Sequence, residues 1–280
     1  MILVTGHHGY IGSQLYDALR SSGHEVIGID LKSGEDILHT LPDRDFDVVF
    51  HLAAFPSVGY SVENPSYTMM HNVLGTSRLL EWSKKHNVKR FVFSSSAAVY
   101  GNDGVLGSPY ALHKAISEME CKLYSDLYEL DTVCLRYFNV YSEDQEYGGP
   151  YSTVISAWMH ALRTGTAPTI EGDGQQTRDF VYVKDVVDAN LFCMEHDPKF
   201  NGETYDIASG KIVSLEYIKN YIDTRYNIDW NHAPPREGDV KHVSPDTTKM
   251  NNLGWSAKTS IEQGLQRCFG ENSLRRKDIS

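Results

Sequence analysis

The sequence has few cysteines and no long apolar run that is free of charge. Its 280 residues include four cysteines, and none of them lies in a Cys-x-x-Cys pair. This spacing argues against a disulfide scaffold and favours reduced core thiols in a cytoplasmic protein. Because a membrane-spanning helix needs about 20 apolar residues in succession, no membrane span is expected. The chain starts directly with an apolar strand at residues 2–4, which leaves no room for a signal peptide.

Positive charge is also scarce. Lysine and arginine number 26 against 37 aspartates and glutamates, so the formal net charge is −11. Such a balance argues against a nucleic-acid partner. The hydrophobic fraction of 41% and the charged fraction of 22% are ordinary for a soluble globular protein. No internal repeat is visible, and the length suits one large domain or two modest ones.

Glycine is concentrated where the first strand ends, at positions 6, 9 and 12. An amphipathic helix follows, and this order of strand, glycine turn and helix is what a dinucleotide-binding turn requires. The glycines let the backbone approach a pyrophosphate at the helix N-terminus. The adjacent His7 and His8 have no third ligand at a suitable spacing, so no metal site is predicted. The predicted coenzyme contacts in this turn are Gly6, Gly9, Tyr10, Ile11 and Gly12.

A carboxylate ends the second predicted strand. Asp30 stands about 20 residues after the glycine turn, where a carboxylate bonds the adenosine ribose and repels the 2′-phosphate of NADP. The prediction is therefore NAD, although Lys32 nearby leaves NADP open. Too few residues separate Asp30 from Asp36 for a crossover helix, so that helix is expected to be reduced to a loop. Asp36 and Ile37 are then predicted to reach the adenine.

The stretch from residue 90 to residue 114 carries the features of a reactive centre. An apolar strand ends in three serines, and Tyr110 and Lys114 follow on a helix, four residues apart and so on one face. A nearby ammonium favours the phenolate, and a strand-end hydroxyl could share the substrate's proton. Together these groups would form a base acting on an alcohol. The predicted catalytic residues are Ser96, Tyr110 and Lys114.

The remaining strands complete an α/β pattern. A buried strand at residues 47–54 ends in small residues that suit close packing against a cofactor. Asn72 opens a later helix, where it either caps the helix or contacts the cofactor. Alternating strands and helices predict a Rossmann-type, doubly wound parallel sheet with a smaller α+β substrate-binding domain. The further predicted coenzyme contacts are Leu52, Ala53, Ala54, Asn72, Ser94, Tyr110, Lys114 and Tyr137.

Seven motifs in this order resemble the extended short-chain dehydrogenase/reductases, and specifically the nucleotide-sugar epimerases such as UDP-glucose 4-epimerase. The resemblance covers nearly the whole chain, and the combination is far more specific than any single motif. The motifs lie at residues 5–12, 51–54, 94–101, 109–114, 135–141, 172–181 and 236–255.

The resemblance implies a tightly held NAD that is reduced and reoxidised within one cycle. It implies that Tyr110 removes the proton of the sugar 4-hydroxyl, that Lys114 holds the nicotinamide ribose and lowers the tyrosine pKa, and that Ser96 bonds the same sugar oxygen. It further implies diphosphate contacts from Asn139, Arg178 and Arg236, and a nucleotide-ribose contact from Asp239. The implied substrate is a UDP-sugar.

Related enzymes of other activity differ at identifiable positions. The 4,6-dehydratases carry Asp-Glu directly after the strand-end hydroxyl, where this chain has Ala97 and Ala98. Those alanines cannot transfer protons, so dehydration is disfavoured. UDP-glucuronate 4-epimerase, a reductase and a non-enzymatic NAD-binding regulator stay as alternatives. The chain also departs from its relatives in a short loop between Ser96 and Tyr110, which affects the rim of the pocket.

The sugar, the domain limits and the assembly are predicted from the same resemblance. Relatives restricted to plain hexoses carry a bulky tyrosine where this chain has Val243, so 2-acetamido sugars are also expected to fit. Residues 1–140 with about 179–197 are assigned to an NAD-binding domain, and residues 141–178 with 198–280 to a nucleotide-sugar-binding domain. A homodimer is expected through a four-helix bundle of the helices near 72–86 and 110–130.

Overall fold

The structure is a computed structural model, and it describes residues 1–149, 152–235 and 243–270. The described residues contain ten strands and ten helices, apart from short 3-10 and π turns. The strands are β1 (Ile2–Thr5), β2 (Val26–Ile29), β3 (Val48–His51), β4 (Arg90–Ser96), β5 (Asp131–Tyr137), β6 (Thr169–Glu171), β7 (Thr177–Asp179), β8 (Glu203–Ile207), β9 (Ile212–Ser214) and β10 (Asn231–Ala233). The helices are α1 (Tyr10–Ser21), α2 (Val58–Glu63), α3 (Pro65–Met69), α4 (Gly75–Lys85), α5 (Pro109–Tyr128), α6 (Val154–Thr164), α7 (Val183–Glu195), α8 (Leu215–Asp223), α9 (Thr248–Leu253) and α10 (Ile261–Phe269).

Six strands form one parallel sheet in the order β2-β1-β3-β4-β5-β8. Helices α1 and α7 pack on one face through residues such as Leu15 and Val186, and α4 and α5 cover the other through Leu79 and Cys121. The strands are apolar because both of their faces are buried. The predicted doubly wound sheet is confirmed, and its order reverses between β1 and β3, where ligands bind in such folds.

The connection from β2 to β3 contains one 3-10 turn, Leu31–Ser33, and no α-helix. The predicted loss of this crossover helix is therefore confirmed. Asp30 caps the turn by accepting a hydrogen bond from the Lys32 amide, and Gly34 ends it in the left-handed region at a φ of 78°. After this turn, Ile37 packs in the same buried cluster as Leu3 of β1.

A second core lies beyond the main sheet. It packs α6, α8 and α10 against one another through buried residues that include Trp158, Ile218 and Leu265. Two small sheets belong to this part of the chain: β6 pairs with β10 in parallel, and β7 pairs with β9 antiparallel. We propose that this core marks the substrate-binding domain.

Two boundary assignments are corrected by the structure. The predicted second domain includes residues 203–207, but these form strand β8, which pairs with β5 in the main sheet because Tyr205 and Ile207 pack in that core. Asn72 does not open a helix. It lies inside a π turn, Met70–Leu74, that joins α3 to α4 in one continuous helix beginning at Pro65. In the part of the chain that is described, no helix is long and apolar enough to cross a membrane.

Candidate active site

A cavity of about 1030 Å³ opens at the carboxyl ends of β1, β2 and β3. This volume is at the upper end of the roughly 300–1000 Å³ found for small-molecule sites. The structure brings nine of the predicted coenzyme residues into its wall. They are Gly6, Gly9, Tyr10, Asp30, Asp36, Ile37, Leu52, Ala53 and Ala54.

The glycine turn is shaped for a close approach of backbone to a ligand. Gly6 has a φ of 75°, and a Cβ there would lie 2.7 Å from the Ala53 nitrogen. Gly9 precedes α1 and offers no side-chain cap, and the first turn of α1 carries no acidic residue. The first amides of the helix therefore point toward the cavity wall with the helix dipole behind them, as a pyrophosphate requires.

Two residues of the same turn do not line the cavity. Gly12 packs against the turn, since a Cβ there would lie 2.0 Å from the Gly6 oxygen, and Ile11 packs against the main core. Both therefore shape the turn from behind instead of contacting a ligand. His8 lies on the cavity wall, whereas the His7 ring packs against Gly28.

Asp30 is held in place at the far wall of the cavity. Its carboxylate accepts hydrogen bonds from the amides of His8 (3.0 Å) and Lys32 (2.9 Å). The Lys32 ammonium donates to the His8 carbonyl at 3.1 Å, so its positive charge is directed at the backbone of the glycine turn. A fixed carboxylate suits the free ribose hydroxyls of NAD. Together with the bare helix N-terminus, it makes these residues fit an NAD.

Ser96, Tyr110 and Lys114 lie together at the end of β4, the strand next to β3. The side chains of Ser96 and Tyr110 are close enough for the Ser96 hydroxyl to affect the pKa of the tyrosine. The buried Lys114 ammonium donates to the Ser94 carbonyl at 2.6 Å and lies 6.0 Å from the centre of the Tyr110 ring. None of the three lines the cavity itself, but the Tyr110 amide donates to Ser61 (3.1 Å) in α2, the helix that follows the cavity wall.

The pKa values of this group differ from the prediction. Burial raises the pKa of Tyr110 to about 12, and the hydrogen bond from Ser96 offsets part of that rise. Burial also lowers the pKa of Lys114 to about 8, against the opposing pull of Glu118. The expected lowering of the tyrosine pKa by its lysine neighbour is therefore not present in the protein alone, because the rise caused by burial exceeds the effect of the Ser96 hydrogen bond.

Three other predicted coenzyme residues stand behind the site. The Ser94 hydroxyl bonds the Tyr137 hydroxyl at 3.0 Å, and Tyr137 in turn bonds Asn190 of α7. These side chains are buried and away from the cavity. The Asn72 side chain accepts from the Phe55 amide (2.7 Å) and donates to the Phe55 carbonyl (2.9 Å). Asn72 thus holds the cavity wall and does not itself line it.

The predicted substrate residues are partly described. Asn139 donates to the Asp179 carbonyl at 2.7 Å, which links the end of β5 to β7. Arg178 donates to the Thr177 carbonyl at 2.8 Å, and Val243 is half-buried. Arg236 and Asp239 lie outside the described residues.

One part of the cavity wall carries no recognisable motif in the sequence. Residues 144–146, 148 and 149, which lie in a loop rich in glycine and charge, contribute to the wall of the coenzyme cavity. The segment is anchored by the preceding Glu143, which accepts hydrogen bonds from Tyr182 (2.7 Å) at its side chain and Arg163 (2.9 Å) at its carbonyl. The glycine and charge of this stretch indicate a loop but not the surface that the loop covers.

A buried network behind the reactive group was also missed. Glu118 accepts hydrogen bonds from Ser95 (2.5 Å) and, through both carboxylate oxygens, from Arg136 (2.8 and 2.6 Å). Arg136 donates to Tyr100 (3.0 Å), which donates to Asp206 (2.8 Å). Glu118 stands four residues after Lys114 on the same face of α5, and this spacing was the signal in the sequence.

The sheet, the glycine turn and the Ser96, Tyr110 and Lys114 group define an NAD-binding enzyme of Rossmann type. Residues 2–208 match the model of the NAD dependent epimerase/dehydratase family. The chain belongs to that family. It is an isomerase that uses NAD, and several of its relatives are named UDP-glucose 4-epimerases.

Three similar proteins illustrate the relationship. A putative UDP-glucose 4-epimerase of Methanocaldococcus jannaschii is 36% identical over 95% of this chain and 96% of its own. The UDP-N-acetylglucosamine 4-epimerase of Methanobrevibacter ruminantium, solved with UDP-N-acetylmuramic acid, has 32% identity and a TM-score of 0.87 over 96% of both chains. The UDP-glucuronic acid 4-epimerase of Bacillus cereus, solved with UDP-glucuronic acid and NAD, has 29% identity and a TM-score of 0.85 over 98% of both.

Proposed function

We propose that this protein interconverts UDP-glucose and UDP-galactose through a transient 4-keto sugar. The observation that carries the proposal is the contact of Tyr110 with Ser96 beside the buried Lys114, at the strand end next to the coenzyme cavity. Such a group removes a proton from an alcohol, and bound NAD would supply the hydride acceptor that this oxidation needs.

Each residue of the group has a separate task in the proposal. Tyr110 takes the proton of the sugar 4-hydroxyl, and Ser96, which lies next to Tyr110, bonds the same sugar oxygen. Lys114 holds the nicotinamide ribose, and its ammonium stabilises the phenolate. The positive nicotinamide ring of bound NAD would add to that stabilisation and lower the tyrosine pKa from about 12.

The neighbouring residues argue for epimerisation over dehydration. Ala97 and Ala98 form the 3-10 turn directly after Ser96, and neither can donate or accept a proton at C5 or C6 of the sugar. A reductase that uses free NADPH is disfavoured by the fixed Asp30 carboxylate. The 4-keto sugar is therefore expected to be reduced again in the same pocket, on its other face.

The diphosphate and the nucleotide ribose are assigned to residues of the second part of the chain. We assign the diphosphate to Asn139, Arg178 and Arg236, and the ribose to Asp239. A guanidinium group can donate two parallel hydrogen bonds to the oxygens of one phosphate, which supports the assignment of the two arginines to the diphosphate. The Asn139 side chain, just after β5, donates to the backbone of β7, and β7 is the strand that contains Arg178.

The half-buried Val243 supports a wider sugar pocket. A valine leaves room that a tyrosine would fill, so UDP-N-acetylglucosamine is also expected to react. UDP-glucuronate is the second candidate, favoured by the likeness to the Bacillus cereus enzyme over 98% of this chain. Its carboxylate would need a cation or several hydrogen-bond donors in the sugar pocket.

A panel of UDP-sugars tests the proposal. Purified protein is incubated with UDP-glucose, UDP-N-acetylglucosamine or UDP-glucuronate, without added coenzyme or reductant, and the products are separated by chromatography. The proposal expects UDP-galactose from the first and UDP-N-acetylgalactosamine from the second. Turnover of UDP-glucuronate alone would replace it by the second candidate, and loss of water from the sugar would reject epimerisation.

We also propose a cytoplasmic homodimer. The outer face of α5 exposes a stripe at Met119, Leu123 and Leu127, with exposed fractions of 72%, 51% and 62%. The adjoining helix adds the exposed Met70 and Leu74. Paired with the same face of a second copy, this stripe would form a four-helix bundle. Four free, buried cysteines support a reducing compartment.

A further inference from the structure

His51 lies in β3, is fully buried, and is hydrogen-bonded at both ring nitrogens. Its Nδ1 lies 2.7 Å from the Thr5 hydroxyl of β1, and its Nε2 lies 2.9 Å from the Thr76 hydroxyl of α4. Burial and the nearby Lys114 charge lower the pKa of His51 to about 3. The ring is therefore neutral and carries one proton.

The neighbouring hydrogen bonds decide which nitrogen carries that proton. Thr76 donates to the Asn72 carbonyl at 2.7 Å, because a carbonyl can only accept. The Thr76 oxygen must then accept from Nε2–H of His51. On the other side, Nδ1 has only a lone pair, so the Thr5 hydroxyl donates to it while accepting from the Ala53 amide at 3.2 Å. The structure thus fixes the Nε2–H tautomer.

The two ends of this chain of hydrogen bonds hold one stretch of the cavity wall. Thr5 holds the Ala53 amide, and Asn72 holds both backbone groups of Phe55. The Asn72 carbonyl, fixed by Thr76, also accepts from Ser117 of the catalytic helix α5 at 3.2 Å. Residues 53–55 line the coenzyme cavity, so the same bonds connect that wall with the helix that carries Tyr110 and Lys114.

We propose that His51, as the Nε2–H tautomer, is a positioning residue for the coenzyme. It orients the Thr5 and Thr76 hydroxyls, and these fix residues 53–55 against the bound NAD. The proposal depends on the coenzyme and not on the identity of the sugar. A packing role would need only an aromatic ring between Phe91 and Phe93, whose ring centres lie 5.9 and 5.7 Å away.

The tautomer is measured directly on the unmodified holoenzyme. Nitrogen-15 histidine spectra distinguish a protonated Nε2 from a protonated Nδ1, and the assignment is made by the loss of the signal in His51→Gln. The proposal expects a protonated Nε2 and a bare Nδ1 at neutral pH. A protonated Nδ1, or a doubly protonated ring, would overturn it.

Two threonine variants separate positioning from packing. Thr76 and Thr68 are both fully buried, and each hydroxyl donates to the carbonyl four residues earlier, but Thr68 does not contact His51. The rate of NAD release is measured by trapping the released NAD with excess alcohol dehydrogenase and ethanol. Thr76→Val is expected to release NAD about tenfold faster, because a buried donor loses its acceptor.

The matched control Thr68→Val loses a similar intrahelical bond and is expected to release NAD at the normal rate. Thr76→Ser keeps the hydroxyl and should restore the normal rate as well. Equal release from the two valine variants would overturn the proposal. If Thr76→Val does not fold, the histidine spectra and the serine variant still decide.

Discussion

At the scale of single residues, Tyr110 combines two opposing influences. Burial raises the pKa of Tyr110 to about 12, whereas the hydrogen bond from Ser96 favours release of the proton. The spacing of Tyr110 and Lys114 was readable from the sequence, because helix geometry places residues four apart on one face. The pKa was not readable, since it depends on burial by residues distant in the chain.

Replacing the phenol tests the role of this residue. Tyr110→Phe keeps the ring and removes the proton acceptor, so epimerisation of UDP-glucose should fall by at least about 10²-fold. The coenzyme content, measured after denaturation by chromatography, should stay near that of the unmodified protein, because the coenzyme cavity is lined by other residues. A variant that keeps a tenth or more of the activity would show that another group takes the proton.

His51 predicts a specific dependence of stability on pH. Its pKa is about 3 in the folded protein and 6.5 in the unfolded chain. Below pH 6.5 the unfolded chain therefore binds a proton that the folded protein does not, and the free energy of unfolding falls as pH falls. Between pH 7 and pH 5 this amounts to about 2 kcal/mol.

Denaturant unfolding at pH 7 and pH 5, with saturating NAD, measures this loss. His51→Gln has no titrating group at this position, so its stability should fall by about 2 kcal/mol less than that of the unmodified protein over the same interval. Equal losses in the two proteins would mean that His51 is protonated in the folded state.

At the scale of elements, α5 is fixed at its buried face by the network of Glu118. Ser95 of β4, Arg136 of β5 and, through Tyr100, Asp206 of β8 are all connected to it. This network ties three strand ends to the helix that carries Tyr110. The start of α5 was predictable, because Ser108 caps it and Pro109 occupies its first turn.

Other element boundaries were not predictable from local sequence. The helix containing Asn72 continues through a π turn, which no cap residue marks, so its start was placed too late. Strand β8 is short and polar at its first residues, and only its pairing with β5 assigns it to the main sheet.

Breaking the network should destabilise the protein. Arg136→Met leaves the buried Glu118 carboxylate without its cation and should lower the free energy of unfolding by about 3 kcal/mol. Lys122→Met is the control, because it removes an exposed ion pair with Asp126 on the same helix and should cost less than about 0.5 kcal/mol. Chemical denaturation measures both, and similar small losses would show that the network contributes little.

At the scale of the whole molecule, the doubly wound sheet collects the ends of β1, β2, β3 and β4 at one edge. The coenzyme cavity lies at the first three, and the reactive group lies at the fourth. The sequence predicted this arrangement because strand order follows the α/β pattern. Residues 144–146, 148 and 149, distant in the chain from the glycine turn, also line this cavity, and no local pattern encodes that long-range contact.

The apolar stripe on α5 predicts the state of assembly. Met119→Glu places a charge in the centre of the proposed four-helix bundle, so light scattering should show the mass of one chain, 31.6 kDa, in place of twice that value. Ile212→Glu, at an exposed apolar residue of β9, is the control and should leave the mass unchanged. An unmodified protein that is already monomeric would refute the bundle.

The central claim is that one hydride leaves the sugar and returns to it within the same active site. The measurement that tests it is turnover of UDP-glucose carrying deuterium at C4, with no coenzyme added, followed by mass spectrometry of the product. The account predicts UDP-galactose that retains the deuterium at C4. Loss of the label to solvent during epimerisation would contradict it.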